Sequence, residues 1–343
     1  MKHAKTIGLD VGDKAHAVCV LDAEGNVELR ERITNTSAAL QKFFSGYTHC
    51  VVALEASTHS PWISRELTRL EHRTLVAQPR RVRLISDDEQ KCDERDAEHL
   101  ARLARVDPQL LHPIRHRGEQ AQADLASLKA RDGLVRARSL LINLARSLVK
   151  GLGARLPACS AEAFARKAAE AVPALVKPAV EGLLTTVAQL TQQIQAYDRQ
   201  VQALLTRYPE AERMDVIPGV GPLTTMGFLL TIEEPQRFRK SRHVGPFLGL
   251  VPRRDQSGNT DKRLGIHKRG NAFVRRLLIS CAHYILGPHG PDTDLRRFGL
   301  RLAERGGRHG QRRAVVAVAR KLAVLMHHLW STGAPYAPLR QAA

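Results

Sequence analysis

The sequence predicts an α/β domain followed by all-α segments. Three observations carry that prediction. Short apolar runs alternate with turn signals through the first 110 residues; long, proline-poor helical periodicities replace them beyond His112; and the charge balance changes between the two regions. The chain has 343 residues, with 53 Lys plus Arg against 34 Asp plus Glu and a net charge of +19. Residues 1–110 hold 16 basic and 17 acidic side chains, leaving 37 against 17 for the remainder. The first part is neutral and the rest carries the positive charge, which implies one body built around acids and another built to grip a polyanion.

Residues 6–10, 16–22 and 27–33 read as three strands of a meander, separated by Gly12-Asp13-Lys14 and Ala23-Glu24-Gly25-Asn26. Residues 37–44 follow as a short helix with Ser37 as its cap. Then come a strand at 50–55, a helix at 61–70, a strand at 73–77 and a short helical turn at 79–85. A meander followed by alternating helices and strands makes a mixed sheet with helices on its faces, the order of the ribonuclease-H-like architecture. Residues 119–150 place Leu125, Leu128, Leu134, Leu141, Leu144 and Leu148 at helical spacing with arginines among them. A second long helix, about 178–205, repeats apolar residues nearly every 3.5 positions. Together these helices suggest a helical hairpin or a dimerising coiled coil, or an ordinary bundle. A mainly helical C-terminal domain completes the chain, giving boundaries of 1–112, 113–207 and 208–343.

Four acids stand in contexts that aim them at a common point. Asp10 closes the apolar run Thr6-Ile7-Gly8-Leu9, and Glu55 closes Val51-Val52-Ala53-Leu54. An acid ending such a run lies at a strand's C-terminal edge, where open α/β sheets carry their sites. Asp93 and Asp96 are three apart, so a helix starting there sets both on one face. Several carboxylates sharing divalent cations suit magnesium or manganese, which prefer oxygen ligands and can clamp the attacking and leaving oxygens of a phosphoryl displacement. Taken singly, Asp93 and Asp96 also read as ordinary acids near a helix N-terminus.

The excess charge points to nucleic acid as partner. No membrane segment is visible: 314–330 is apolar but contains Arg320, Lys321, His327 and His328, and reads as a packed helix. The N-terminus lacks a signal-peptide core. Five scattered cysteines form neither a zinc pattern nor a disulfide framework, so a reducing cytoplasm is the simplest home.

Ile217-Pro218-Gly219-Val220-Gly221-Pro222 resembles a helix-hairpin-helix turn, in which Gly219 and Gly221 would let backbone N–H groups approach a phosphate, although a Pro-Gly pair also makes a plain tight turn. Residues 251–276 contain eight Lys or Arg and two Asp, and read as a polar, flexible loop. Within it Ser257-Gly258 is surrounded by Arg253, Arg254, Lys262, Arg263, Lys268 and Arg269, the expected phosphate contacts. A serine there could attack a phosphodiester, since cations lower the effective pKa and stabilise the transition state; on composition alone such a serine is more often a phosphate hydrogen-bonder.

Five motifs in order carry a resemblance that covers nearly the whole chain: Ile7-Gly8-Leu9-Asp10-Val11-Gly12; Ala53-Leu54-Glu55 with Thr58-His59-Ser60-Pro61-Trp62; Lys91-Cys92-Asp93-Glu94-Arg95-Asp96-Ala97; Ile217 to Pro222; and Gly249-Leu250-Val251-Pro252 leading to Ser257-Gly258 and Lys268-Arg269-Gly270-Asn271. The combination resembles the insertion-sequence transposases of the family numbered one hundred and ten, which pair a RuvC-like DEDD domain with a serine-bearing transposase domain. The resemblance implies a DNA recombinase with Asp10, Glu55, Asp93 and Asp96 as ligands for Mg2+ or Mn2+ and Ser257 as the nucleophile. It further implies recognition of donor and target DNA through a structured noncoding guide (bridge) RNA, and a homodimer or homotetramer in which acids and serine of one site come from different subunits. Cys92 departs from the Asn or Thr often found there. Sequence readout by base pairing would explain why aromatics are only 4%. The rival readings are a junction-resolving nuclease without serine chemistry, an actin-like kinase or ATPase for which no second glycine-rich phosphate loop is visible, and a non-catalytic nucleic-acid-binding protein.

Overall fold

Residues Thr6–Val11 (β1), Ala15–Leu21 (β2) and Val27–Thr34 (β3) form an antiparallel meander in the computed structural model, which describes residues 5–79, 92–257 and 260–339. After helix Ser37–Phe44 (α1), strand Val51–Glu55 (β4) lies parallel to β1; after helix Ser60–Arg69 (α2), strand Arg73–Ala77 (β5) lies parallel to β4. The five-stranded mixed sheet has the order β3-β2-β1-β4-β5. Helix Asp93–Val106 (α3) completes the sheet's cover, and Met1–Gly118 is one compact unit.

Side-chain alternation decides which helix covers which face. Ile7, Leu9, Val18, Val20, Val52 and Leu54 pack against Leu40 and Phe44 of α1 and Ile63 and Leu67 of α2. The opposite face carries small residues, with Ala17, Cys19 and Ala53 meeting Ala97, Leu100, Ala101 and Ala104 of α3. Small residues on both sides let α3 approach closely. A Cβ on Gly8 would lie 1.8 Å from the Ala97 carbonyl oxygen, so only glycine fits beneath the helix. The cap of α1 is Thr36, whose hydroxyl accepts from the Ala39 N–H at 3.2 Å; Ser37, the expected cap, is the first helical residue. Beyond Pro79, the short helical turn expected at 79–85 lies outside the described residues.

Glu119–Ala343 is the second compact unit. Its long helices Glu119–Lys150 (α4) and Lys177–Leu204 (α6) flank a short helix, Phe164–Ala169 (α5). They run antiparallel: Ile142, Ala145 and Val149 share a cluster with Val180, Leu184 and Val187, while Leu125 and Leu128 join Val201 and Leu204. Between these clusters Arg131 meets Asp198 at 2.5 Å, and buried Arg138 donates to Thr191 and to Glu162. The two helices are therefore a hairpin within one chain.

Further helices follow: Glu212–Asp215 (α7), Pro222–Ile232 (α8), Val244–Phe247 (α9), Ala272–Leu286 (α10), Asp294–Arg305 (α11) and Gly310–Thr332 (α12). Every residue from Thr224 to Ile232 is buried, so α8 is the central rod of this unit, apolar on all sides as such a position demands. Helix α10 packs against it and α12 packs on α10, with Val274, Leu278, Ile285, Val318, Leu322 and Met326 in the same hydrophobic cluster. The helix expected over 314–330 is the buried part of α12. No helix among the described residues is long and apolar enough to cross a membrane.

The segment read as a flexible loop at 251–276 is instead ordered as an antiparallel hairpin, Pro252–Ser257 (β6) paired with Thr260–Ile266 (β7), followed by the start of α10. Charged residues occupy successive positions of both strands, so no period-two apolar pattern announces them. Their base supplies the order: a Cβ on Gly249 would lie 2.0 Å from the Arg269 carbonyl oxygen, and one on Gly270 equally close to that of Phe247. Both glycines have positive φ, and Arg275 donates to the Leu248 carbonyl at 2.9 Å beside them.

Candidate functional site

The register of the sheet sets Asp10 and Glu55 side by side. Leu9 pairs with Leu54 in parallel, so Asp10, the penultimate residue of β1, and Glu55, the last of β4, stand at the same level on adjacent strands, about 4.8 Å apart along the sheet. Because Leu9 and Leu54 point toward α1 and α2, Asp10 and Glu55 point to the other face, the one covered by α3. Helix α3 runs antiparallel to β1. At its C-terminal end Arg105 donates to the Asp22 and Ala23 carbonyls, at the far end of the sheet. At its N-terminal end Asp93 meets Arg32 at 2.5 Å, and Arg32 pairs through Ala17 with Asp10. The first turn of α3, with Asp93 and Asp96, therefore stands at the edge where β1 and β4 end, the edge that carries Asp10 and Glu55.

The four acids share an edge and a face without closing into a cage: among the described residues no three His, Cys, Asp or Glu side chains are close enough to hold a metal ion. The donors suit a hard divalent cation, being carboxylates alone, but the spacing does not enclose one. Asp93 is engaged by Arg32 in a pair whose side chains are 56% and 59% exposed, so water screens it and its hold is weak.

Two loops lie above this edge. Asp13, in the β1–β2 turn, accepts from His59 Nε2 at 3.0 Å across the loop that follows β4. The indole of Trp62 donates to His59 Nδ1 at 3.5 Å, which assigns the imidazole proton to Nε2, since an indole N–H only donates. Asn35 donates to the Gly12 and Asp13 carbonyls at 3.2 and 2.9 Å. Ser57 and Ser60 bond reciprocally, and the Ser60 hydroxyl lies 2.8 Å from His116 Nε2. Burial holds His116 below the ordinary histidine range, with Arg65 and Arg117 adding to the effect. His16 is fully buried nearby and is also held low, by burial first and then by His59. Asp13 and His59 stand in or beside the sequence motifs, yet nothing in those motifs gives them a role, and the parts played by Gly8 and Arg32 escape sequence reasoning as well. A glycine interrupting an apolar strand is the available signal for Gly8; Arg32 has none.

In the second unit Ser257 is the last residue of β6 and pairs with Thr260 of β7. Gly258 and Asn259 lie outside the described residues. Arg253, Arg254, Lys268 and Arg269 are exposed, the last two leading into α10, whose cap Asn271 accepts from the Val274 N–H at 3.1 Å. Lys262 and Arg263 belong to β7. The Gly219–Gly221 turn leads into α8. Gly219 has φ +82°, and its Cβ would lie 2.6 Å from the Tyr284 ring, whereas around Gly221 there is open space. The depression of about 400 Å³ between Ser241, Asp294, Lys321, His328 and Tyr336 contains none of the expected site residues.

Two family models match separate stretches of the chain. A transposase family model of the DEDD type matches residues 7–153, which include all four acids, and the model described as "Transposase IS116/IS110/IS902 family" matches 211–294, which include Ser257. The chain is 30% identical over 339 residues to the transposase for insertion sequence element IS1111A of Coxiella burnetii, covering 95% of this chain and 89% of the relative. It is 29% identical over 286 residues to the transposase for element IS1328 of Yersinia enterocolitica, covering 82% and 84%. A shorter likeness, 26% over 144 residues, links 40% of this chain to 44% of the pilin gene-inverting protein of Moraxella lacunata.

Proposed function

This chain belongs to the IS116/IS110/IS902 family of transposases, enzymes that cleave and rejoin DNA, and on that premise we propose a recombinase that joins acid-held metal to serine attack. The observation that supports the reading is the side-by-side placement of Asp10, one residue before the end of β1, and Glu55, the last of β4, with the first turn of α3 on the same edge. The sheet order β3-β2-β1-β4-β5, with its first acid on the central strand, supports reading this unit as a ribonuclease-H-like, RuvC-like domain. A DEDD domain implies a divalent metal ion. Asp10, Glu55, Asp93 and Asp96 would hold it, as Mg2+ or Mn2+, once Asp93 leaves Arg32. Bound there, the cation supplies charge neutralisation of a phosphodiester.

The Ser257 hydroxyl attacks the phosphorus, a strand P–O bond breaks, and the proton lost by serine is matched by one gained on the released hydroxyl. The phosphoserine ester conserves the bond energy until a hydroxyl of another strand reverses the step. Arg253, Arg254, Lys262, Arg263, Lys268 and Arg269, with the Gly219–Gly221 turn, contact phosphates. A structured guide RNA pairs with donor and target DNA, and acids and serine of one site come from different copies in a homodimer or homotetramer. The boundaries 1–112, 113–207 and 208–343 then separate the acid domain, the assembly hairpin and the serine domain.

Asp96→Asn tests the acids, because it removes charge while keeping shape. The expected result is loss of strand cleavage and of thermal stabilisation by Mn2+, with RNA binding retained. Cleavage at the normal rate would refute the assignment.

A further inference from the structure

A guanidinium stands at the acid edge, bound to one of the four acids. Asp10, Ala17 and Arg32 occupy one row across β1, β2 and β3, since Asp10 pairs with Ala17 and Ala17 with Arg32. Residues opposite one another in such a row point to the same face, and Ile33, buried on the other face, sends Arg32 toward α3 along with Asp10. Two strand spacings, roughly 10 Å, separate the Arg32 and Asp10 backbones, and Ala17 between them carries only a methyl group. From this row Arg32 Nη2 donates to Asp93 Oδ2 at 2.5 Å.

The neighbouring arginine shows what a structural bond to α3 looks like. Arg30, two residues earlier on the same face of β3, meets Glu98 at 2.6 Å, and Arg102 of the same helix meets Glu98 at 2.7 Å. The Glu98 side chain is only 19% exposed, and its carboxyl lies below the usual range, chiefly because of Arg30. Arg30 and Glu98 therefore fasten α3 to β3. Arg32 and Asp93 are both more than half exposed and add little to that fastening. Such a pair breaks easily, as a bond to a metal ligand must.

We propose that Arg32 exchanges partners during the reaction: it competes with the divalent cation for Asp93 and, once displaced, pairs with the phosphodiester held at the acid edge. Guanidinium and cation are both positive and seek the same carboxylate, so each weakens the hold of the other. The released guanidinium stays tethered to β3, two strands from Asp10, and its fork matches the two free oxygens of a phosphodiester. There it stabilises the charge that grows in the transition state. The exchange also ties metal uptake to DNA: an anion on Arg32 frees Asp93, and by linkage each ligand tightens the other. The inference rests on the reading of Asp10, Glu55, Asp93 and Asp96 as metal ligands.

The test measures Mn2+ affinity of the full chain without DNA, from the paramagnetic resonance of free Mn2+, and then single-turnover strand cleavage at saturating Mn2+. Arg32→Gln is expected to bind Mn2+ about 3- to 10-fold more tightly, through one exposed ion pair lost and one like-charge repulsion relieved. It should nevertheless cleave more slowly, by on the order of 100-fold. A merely structural role would not move the two readouts in opposite directions. Arg30→Gln, which loosens α3 without touching the four acids, should bind Mn2+ no more tightly than the wild type, and Arg32→Lys, which keeps the charge, should leave Mn2+ affinity near that of the wild type. Arg32→Gln protein that binds Mn2+ no more tightly, or that cleaves as fast as the wild type, overturns the proposal, as does an equal gain in affinity from Arg30→Gln. Asp96→Asn separates this failure from that of the underlying reading. Mn2+ affinity retained in that variant removes the metal site and the exchange together, whereas affinity lost there with no gain in Arg32→Gln removes the exchange alone.

Discussion

Replacing Gly8 by alanine should disable the acid edge without touching an acid. The added Cβ would lie 1.8 Å from the Ala97 carbonyl oxygen and 2.8 Å from the Ala101 nitrogen, both backbone atoms of α3. Real Cβ contacts stay beyond 3.0 Å, so the helix must retreat by at least 1.2 Å, the difference between the two distances. Overpacking of this kind costs about 1–3 kcal/mol, a fall of several degrees in the unfolding midpoint for a domain this size. The functional effect is larger. Asp93 and Asp96 open the displaced helix, and a misplacement of about 1 Å at a reacting centre costs on the order of 100-fold in rate. Single-turnover strand cleavage, with thermal unfolding recorded with and without Mn2+, separates the two effects. A Gly8→Ala protein that melts and cleaves like the wild type would refute the idea that α3 is held against β1 to deliver its acids.

Other outcomes follow from buried polar groups. His16, His72 and His116 of the first unit are each held below the ordinary histidine range, chiefly by burial. Their folded pKa values lie below the unfolded value of 6.5, so the unfolded chain binds more protons and stability is lost as pH falls below it, by up to roughly 1.4 kcal/mol per pH unit for each histidine. Urea titrations at pH 8 and pH 5.5 read this directly, and equal midpoints would contradict it. In the second unit Asp124, 5% exposed, accepts from Tyr208 Oη at 2.6 Å and from Arg207 at 2.7 Å. Asp124→Ala should cost about 2–3 kcal/mol in urea unfolding, most of it from the stranded Tyr208 hydroxyl, because the half-exposed Arg207 can turn to water; a cost below about 0.5 kcal/mol would show that water satisfies both. Asn271→Ala removes the cap of α10 and its bond to Thr231, for about 1–2 kcal/mol in the same assay.

The strands of the first unit are legible in the sequence because each is an apolar run ending in punctuation, and the placement of Asp10 and Glu55 follows because such runs end at a sheet edge. The hairpin at 252–266 is not: Arg253, Arg254, Lys262 and Arg263 leave no apolar pattern, and what orders it is the crossing of backbone at Gly249 and Gly270, which stand 21 residues apart in sequence. The choice between an intrachain hairpin and a coiled coil for the long helices is likewise open in the sequence, since a 3.5-residue repeat fits either partner. Packing of Ile142, Ala145 and Val149 against Val180, Leu184 and Val187 decides it. At the start of α1 two adjacent hydroxyl residues, Thr36 and Ser37, look alike as caps and differ by one step in backbone angle, which is why the cap falls on Thr36 rather than Ser37. Distances among the acids belong to tertiary structure alone. Nothing in the spacing of Asp93 foretells its bond to Arg32, which lies 61 residues away.

The central claim, that acids and a serine divide the chemistry between them, is tested most directly by trapping the covalent intermediate. Purified protein with its RNA and Mg2+ is given a nicked DNA substrate whose cleaved end diffuses away, and the protein–DNA adduct is digested and mapped by mass spectrometry. The prediction is a phosphodiester on the peptide carrying Ser257, absent from Ser257→Ala and from Asp96→Asn. An adduct on another residue, or full strand cleavage by Ser257→Ala, would contradict it.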